Sequence, residues 1–98
     1  MLISTTESIT GHEVTEVLGM TFGVVVRARG LGGDIMASLK SLVGGEITRR
    51  QALDRMVDNA HKMGADAIVM MRFDSGDIGQ NMSEIIAYGT AVKIRQTT

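Results

Sequence analysis

Two arginines in a β-rich stretch carry the clearest chemistry in the sequence. Arg27 and Arg29 stand two positions apart, which places them on one face of a predicted strand. Guanidinium groups can hold a carboxylate or phosphate through paired hydrogen bonds. Asp34 and Glu84 are the carboxylates that could serve as acid or base in such a site. We take these four residues as candidate ligand-binding residues; the alternative is a solvent-facing surface or an intersubunit ion pair.

A second group of residues could bind metal. Asp58 and His61 are three positions apart on a predicted helix, a spacing that can bring both side chains to one ion, and His12 lies in a predicted turn. The sequence has no cysteine, so the thiolates preferred by soft heavy metals are absent. A structural zinc takes four ligands. His12, Asp58 and His61 are therefore incomplete candidates, and solvated side chains are the alternative.

No arrangement typical of catalysis is present, and we predict no catalytic residue. Neither histidine has a persuasive nucleophile in its sequence context. The glycine-rich residues 30–33 lack the third glycine of a dinucleotide loop, because Ile35 occupies its place, and they lack the ending of a P-loop. The eight methionines fit core filling better than a thioether site.

Charge and hydropathy restrict the partners. The net charge is −1 with acids and bases intermixed, which predicts no attraction to nucleic acid. No apolar run approaches the roughly 20 residues that a membrane helix needs, and the first residues do not resemble a secretory signal. We therefore expect a cytoplasmic protein that binds neither nucleic acid nor membrane.

The elements that must position these residues follow from periodicity. Residues 13–29 alternate as one bent strand or two, with Gly19 and Gly23 marking a bulge or a close backbone approach. A short helix over residues 35–43 should end at the glycine pair 44–45. A longer helix over residues 49–63 should start at a capping box on Thr48 and stop at Gly64. Its predicted buried stripe is Leu53, Met56, Val57, Ala60 and Met63, with Ala52 at the edge.

Two further strands complete a single domain over residues 1–98. Residues 65–73 are apolar on both faces, with Ala67, Val69, Met71 and Phe73 on one and Ile68 and Met70 on the other. We therefore expect the second face to be covered by the short helix or by another subunit. Residues 83–95 place the small residues Ala87, Gly89 and Ala91 on one face, where another element can approach closely. This order predicts a two-layer α+β domain with a mainly antiparallel sheet.

Several glycine-rich pieces, in this order and spacing, resemble the YbjQ-like family, whose members carry a heavy-metal-binding label. They are residues 4–6, Gly11, residues 19–23, 27–34, 43–45, 64–69 and 88–92. The resemblance implies a dodecin-like subunit, a homo-oligomeric ring that is a pentamer, and no established reaction. The chain departs from the family pattern at Glu46, Ile47 and Thr48, which alone connect the glycine pair to the long helix where relatives carry a charged insert.

These observations together predict a self-associating module that binds a metal or small ligand at subunit contacts. A divalent metal is the cofactor that the family label suggests. Two alternatives stay open: an enzyme with a composite site between subunits, and a structural adaptor that binds other proteins.

Overall fold

A mixed four-stranded sheet forms one layer of the domain and a helix forms the other. The computed structural model describes residues 1–28, 33–79 and 82–97, with the backbone alone for Ala28 and for residues 33–46. The sheet order is β1-β3-β4-β2; β1 runs parallel to β3, and the other neighbours are antiparallel. This confirms the predicted α+β class. The elements are β1 (Leu2–Ile3), β2 (His12–Ala28), α1 (Gly33–Lys62), β3 (Ala67–Asp77) and β4 (Met82–Gln96).

The two predicted helices are one continuous helix in the described residues. α1 runs through the glycine pair 44–45 without a break, so Thr48 lies inside the helix and not at its N-cap. Each interior glycine costs about 1 kcal/mol relative to alanine. A break would cost more, because each new helix end leaves backbone groups without intrahelical partners and only three residues were available to satisfy them. The predicted stop at Gly64 is confirmed by its φ of 81° and by a bond from the Ala65 N–H to the Ala60 carbonyl.

The buried stripe of α1 contains the predicted residues but is rotated towards Ala52, which was predicted to lie at its edge. Ala52, Met56 and Ala60 are fully buried. Leu53, Val57 and Met63 flank them and are only partly buried. Two alanines at the centre let the helix backbone lie close to the sheet, which leaves the larger side chains to fill the margins.

This rotation changes which substitution should damage the core most. Met56→Ala should lower the free energy of unfolding by about 2–5 kcal/mol, because it removes a fully buried side chain. Leu53→Ala should cost about 1 kcal/mol, since part of that side chain already meets water. Urea denaturation of both variants measures the difference. Equal losses would contradict the observed rotation of the stripe.

A bulge in β3 reassigns its side chains. Val69 pairs with Thr90 and Arg72 with Tyr88, so Met70 and Met71 together stand opposite one residue of β4. Met70 adopts a φ of 56° and is exposed. The bulge moves Met71 and Phe73 to the helix side with Ile68, so the predicted grouping of Met71 and Phe73 with Ala67 and Val69 is wrong.

The chain's own N-terminal segment, residues 4–11, runs beside the edge of β3 and places Ile9 over part of the side that faces away from α1. The Met70 N–H donates to the Thr6 carbonyl and the Met71 N–H to the Ser4 carbonyl, both at 3.0 Å. Ile9 packs against the buried Ala67, Val69 and Val92. We expected a short helix or another subunit to cover the second face of β3. At this end of the sheet, a turn of the same chain covers part of it instead.

Small residues on β2 and β4 allow α1 to touch the sheet. A Cβ on Gly23 would lie 2.2 Å from the Ala52 carbonyl oxygen of α1, whereas one on Gly89 would lie 2.6 Å from the Ile68 side chain of the neighbouring strand β3. Ala87 and Ala91 belong to the same buried cluster as Met56. The small-residue face of β4 therefore contacts this chain's own helix. The buried Thr21 hydroxyl adds a 2.9 Å hydrogen bond to the Met56 carbonyl.

Side chains of α1 also cap the outer edge of β2. The Asn59 amide donates to the Phe22 carbonyl at 2.7 Å, and the Arg55 guanidinium donates to the Val24 carbonyl. Because edge strands tend to pair with strands of other molecules, these caps make growth of the sheet through β2 less favourable. β2 is a single strand with register shifts at Val14/Glu16 and Val17/Gly19, so Gly19 lies at a predicted bulge.

Candidate functional site

The face of the sheet opposite α1 carries an exposed apolar surface, called here the open face. Pairing across β2 and β4 puts Met20 beside Thr90, Phe22 beside Tyr88 and Val24 beside Ile86. Val17 and Met20 are each 66% exposed, and Val26 is 52% exposed. The open face consists of Val17, Met20, Phe22, Val24, Val26, Ile86 and Tyr88.

The seven residues of the open face are apolar or aromatic, and the charged Glu84 lies beside them on the same sheet face, paired with Val26. The N-terminal segment covers part of the β3 side of the sheet and leaves the β2–β4 side uncovered within the described structure. Large contiguous apolar surfaces of this kind mark interaction sites in most proteins. The open face is therefore the strongest candidate for a contact surface.

A polar cavity lies on the helix side, at the end of the sheet where β2 finishes. We call it the arginine cavity; its volume is about 420 Å³. Arg27, Ser83 and Asp77 stand directly opposite one another on β2, β4 and β3, so they share the helix-side face. The lining residues are Arg27, Arg49, Ser75, Gly76, Asp77, Ser83, Glu84 and Ile85.

Arg27 is incompletely hydrogen-bonded within this cavity wall. One terminal nitrogen of its guanidinium donates to the Thr48 hydroxyl at 3.5 Å, a long contact. Its Nε is buried and has no hydrogen-bond partner. A buried donor without an acceptor costs about 1–3 kcal/mol, and more when it belongs to a charged group. The arrangement therefore leaves a cation in need of an acceptor.

Two of the four predicted ligand-binding residues lie at the arginine cavity, with side chains directed to opposite faces of the sheet. Arg27 and Glu84 both line the arginine cavity. Arg29 and the side chain of Asp34 lie outside the described residues. Sequence reasoning missed Arg49, Ser75 and Ser83, because they come from three separate elements whose juxtaposition depends on strand register. Nothing in the sequence marked Arg49 as a neighbour of Arg27, since the contact between Thr48 and Arg27 is seen only in the folded chain.

The three predicted metal ligands stay apart from any larger donor group. His12 lies at the start of β2, where its Nδ1 is 3.2 Å from the Thr10 carbonyl oxygen. Asp58 lines a groove beside Phe22 and Val24, and His61 lies in the last turn of α1. Across residues 1–28, 33–79 and 82–97, no three His, Asp or Glu side chains come together in a way that could hold a metal ion.

The fold and these surfaces define a small two-layer α+β domain with one uncovered sheet face. A family model described as "Putative heavy-metal-binding" matches residues 1–95, and the chain belongs to this YbjQ-like family. The described part of the chain does not supply a metal site that fits the description, since thiolates are absent and the carboxylates and histidines are dispersed. Nor does the described structure include a helix long and apolar enough to cross a membrane.

Relatives of similar length support the assignment. A UPF0145 protein of Bradyrhizobium sp. (strain ORS 278) is 59% identical over 103 residues, covering 96% of this chain and 93% of the relative. One from Saccharolobus islandicus (strain Y.G.57.14 / Yellowstone #1) is 51% identical over 107 residues, covering 100% of this chain and 94% of its own. The second alignment is longer than this chain's 98 residues, so that relative carries extra residues within the matched region.

The fold is also similar to a solved structure. A protein of unknown function from Pediococcus pentosaceus ATCC 25745, described as belonging to the DUF74 family, superposes with a TM-score of 0.67. The match covers 97% of this chain and 98% of that protein at 12% identity. At this identity the likeness concerns the fold alone.

Proposed function

We propose that this chain is the subunit of a homo-oligomeric ring that works by binding and not by catalysis. The observation that carries the proposal is the apolar open face, whose residues Val17 and Met20 are each 66% exposed in the single chain. Covering apolar surface is favourable by about 25 cal/mol per Å². A second copy of the chain is the partner that is always present at matching concentration.

The geometry favours association through the face of the sheet over association through its edge. The side chains of Asn59 and Arg55 donate hydrogen bonds to carbonyls along the outer edge of β2, while no described residue covers the adjoining open face. A chain of 98 residues also has a thin core, which contact with other subunits would extend. The pentamer is what the resemblance to the YbjQ-like family implies, and we place the assembly in the cytoplasm.

A metal or small ligand would then bind where subunits meet. In this proposal His12, Asp58 and His61 contribute to a metal site only when several subunits bring them together. This follows from the dispersed positions of these residues in one chain and from the four ligands that a structural zinc site takes. The family description supports the metal as the ligand to test first.

Light scattering coupled to size-exclusion chromatography tests the assembly. We expect a single species with the mass of five chains at micromolar concentration. A monomer would remove the proposal, and a stable oligomer of another size would remove the pentamer alone.

Calorimetric titration with zinc, copper and cadmium tests the ligand. We expect binding by the assembled protein and its loss in the double variant His12→Ala/His61→Ala, with the oligomer intact. Absence of heat with all three metals would exclude the metal site while leaving the ring in place.

A further inference from the structure

We propose that the arginine cavity binds a small anion through its carboxylate or phosphate group. The site lies within one chain, between α1 and the ends of β2, β3 and β4, so it is separate from the subunit contacts discussed above. The inference does not depend on ring formation. It rests on the cations, the hydroxyls and the space that the described residues bring together.

The cavity presents two guanidinium groups. Arg27 has one long hydrogen bond, at 3.5 Å, and a buried Nε with no partner, although an arginine can donate five hydrogen bonds. The Arg49 side chain makes no hydrogen bond or ion pair among the described residues. The two arginines at this cavity have N–H groups without acceptors, and these groups can donate paired hydrogen bonds to the oxygens of a carboxylate or phosphate.

Serine hydroxyls and a glycine complete the lining. Ser83 stands directly opposite Arg27 on the neighbouring strand. Ser75 lies on the same sheet face in the adjacent row of side chains, where it pairs with Ile85. A hydroxyl can donate a further hydrogen bond to an anion oxygen. Gly76 lines the cavity with its backbone, since it pairs with Glu84 in a row whose side chains point to the opposite sheet face.

The lining also holds two carboxylates, Asp77 and Glu84, so its formal charges sum to zero and an anion would be held by the local donors and not by net charge. Asp77 already has an interaction partner. Glu84 is paired with Val26, and strand alternation directs both to the sheet face opposite Arg27. Glu84 therefore stays near enough to repel an anion weakly without occupying the arginines. Neutralising Glu84 should strengthen binding, a change of opposite sign to that expected for the arginine variants.

The volume limits the ligand to a small molecule. About 420 Å³ lies in the lower part of the range for small-molecule sites. Inorganic phosphate and succinate both fit this description and carry the two alternative anionic groups. They are therefore suitable probes, since a preference between them identifies which group the cavity takes.

Titration of the full chain by calorimetry, with each probe in turn, tests the site. We expect saturable binding in the low millimolar range for at least one probe. Arg49→Gln should weaken it about tenfold, because one charge-assisted hydrogen bond is lost. Arg27→Lys should also weaken it, since lysine keeps the charge but not the planar fork. Glu84→Gln should tighten it about twofold.

Arg50→Gln is the matched control. Arg50 neighbours Arg49 on α1 and has the same charge, yet it pairs with Asp54 at 3.6 Å and does not line the cavity. We expect little change in affinity from this variant. No saturable binding of either probe would overturn the proposal, as would equal weakening by Arg49→Gln and Arg50→Gln. Arg49 is exposed, so its variant tests the site even if a change at Arg27 prevents folding.

Discussion

Replacing Gly23 by alanine should lower the free energy of unfolding by about 3 kcal/mol or more. The new Cβ would lie 2.2 Å from the Ala52 carbonyl oxygen and 2.5 Å from the Met56 amide nitrogen. Both are backbone atoms of α1, so no side-chain rotation relieves the contact. The helix would have to move away from the sheet, and the buried packing of Ala52, Met56 and Ala60 would loosen with it.

Gly76→Ala is the control for this prediction. Gly76 also lies in a strand, but an added Cβ there meets nothing within 4 Å. We expect its free energy of unfolding to change by less than about 1 kcal/mol. Chemical denaturation of both variants measures the difference. Similar losses at the two positions would mean that Gly23 matters through strand propensity and not through the approach of α1.

Sequence periodicity predicted the parts of the fold that depend on local chemistry. The alternation of β2, the small residues of β4 and the stop at Gly64 are all visible in the sequence. Gly23 was recognised as either a bulge or a close approach, and it is the latter. These features were predictable because each is decided by side-chain size or backbone freedom at one position.

The errors arose where packing decided between local alternatives. Nothing in the pair Met70–Met71 marks a bulge, since methionine has no preference for the positive φ of 56° that Met70 adopts. The glycine pair 44–45 is a strong helix breaker by propensity, yet α1 continues through it. The capping pattern at Thr48 was consistent with a helix start, but the same residues also suit a helix interior.

The candidate sites also depend on packing that the sequence alone does not specify. The open face depends on which side of the sheet the helix covers, and the small residues Ala87, Gly89 and Ala91 predicted a close approach without showing which element makes it. The arginine cavity depends on register, because Arg27 meets Ser83 and Asp77 only after three strands align. A single sequence gives residue types, but pairings over such separations require the folded sheet.

Met20→Glu should convert the proposed oligomer to monomers. Met20 lies in the middle of the open face and is 66% exposed in the single chain, so a carboxylate there meets water before assembly. In a face-to-face contact the same charge would be buried without a partner, which costs several kcal/mol at each interface. We expect the dissociation constant to rise by at least about a hundredfold, measured by light scattering across a dilution series.

Ile47→Glu separates this effect from a general effect of added charge. Ile47 is 45% exposed and lies on α1, on the other side of the sheet from the open face. It should keep the oligomer, while Met20→Glu should yield a monomer with an unchanged circular dichroism spectrum. The exposed Met20 contributes little to the core of the single chain, so the substitution should not unfold it. A folded monomer would therefore show that the subunits assemble through the open face. If Met20→Glu retains its full mass, the subunits associate through another surface and the open face loses its proposed role.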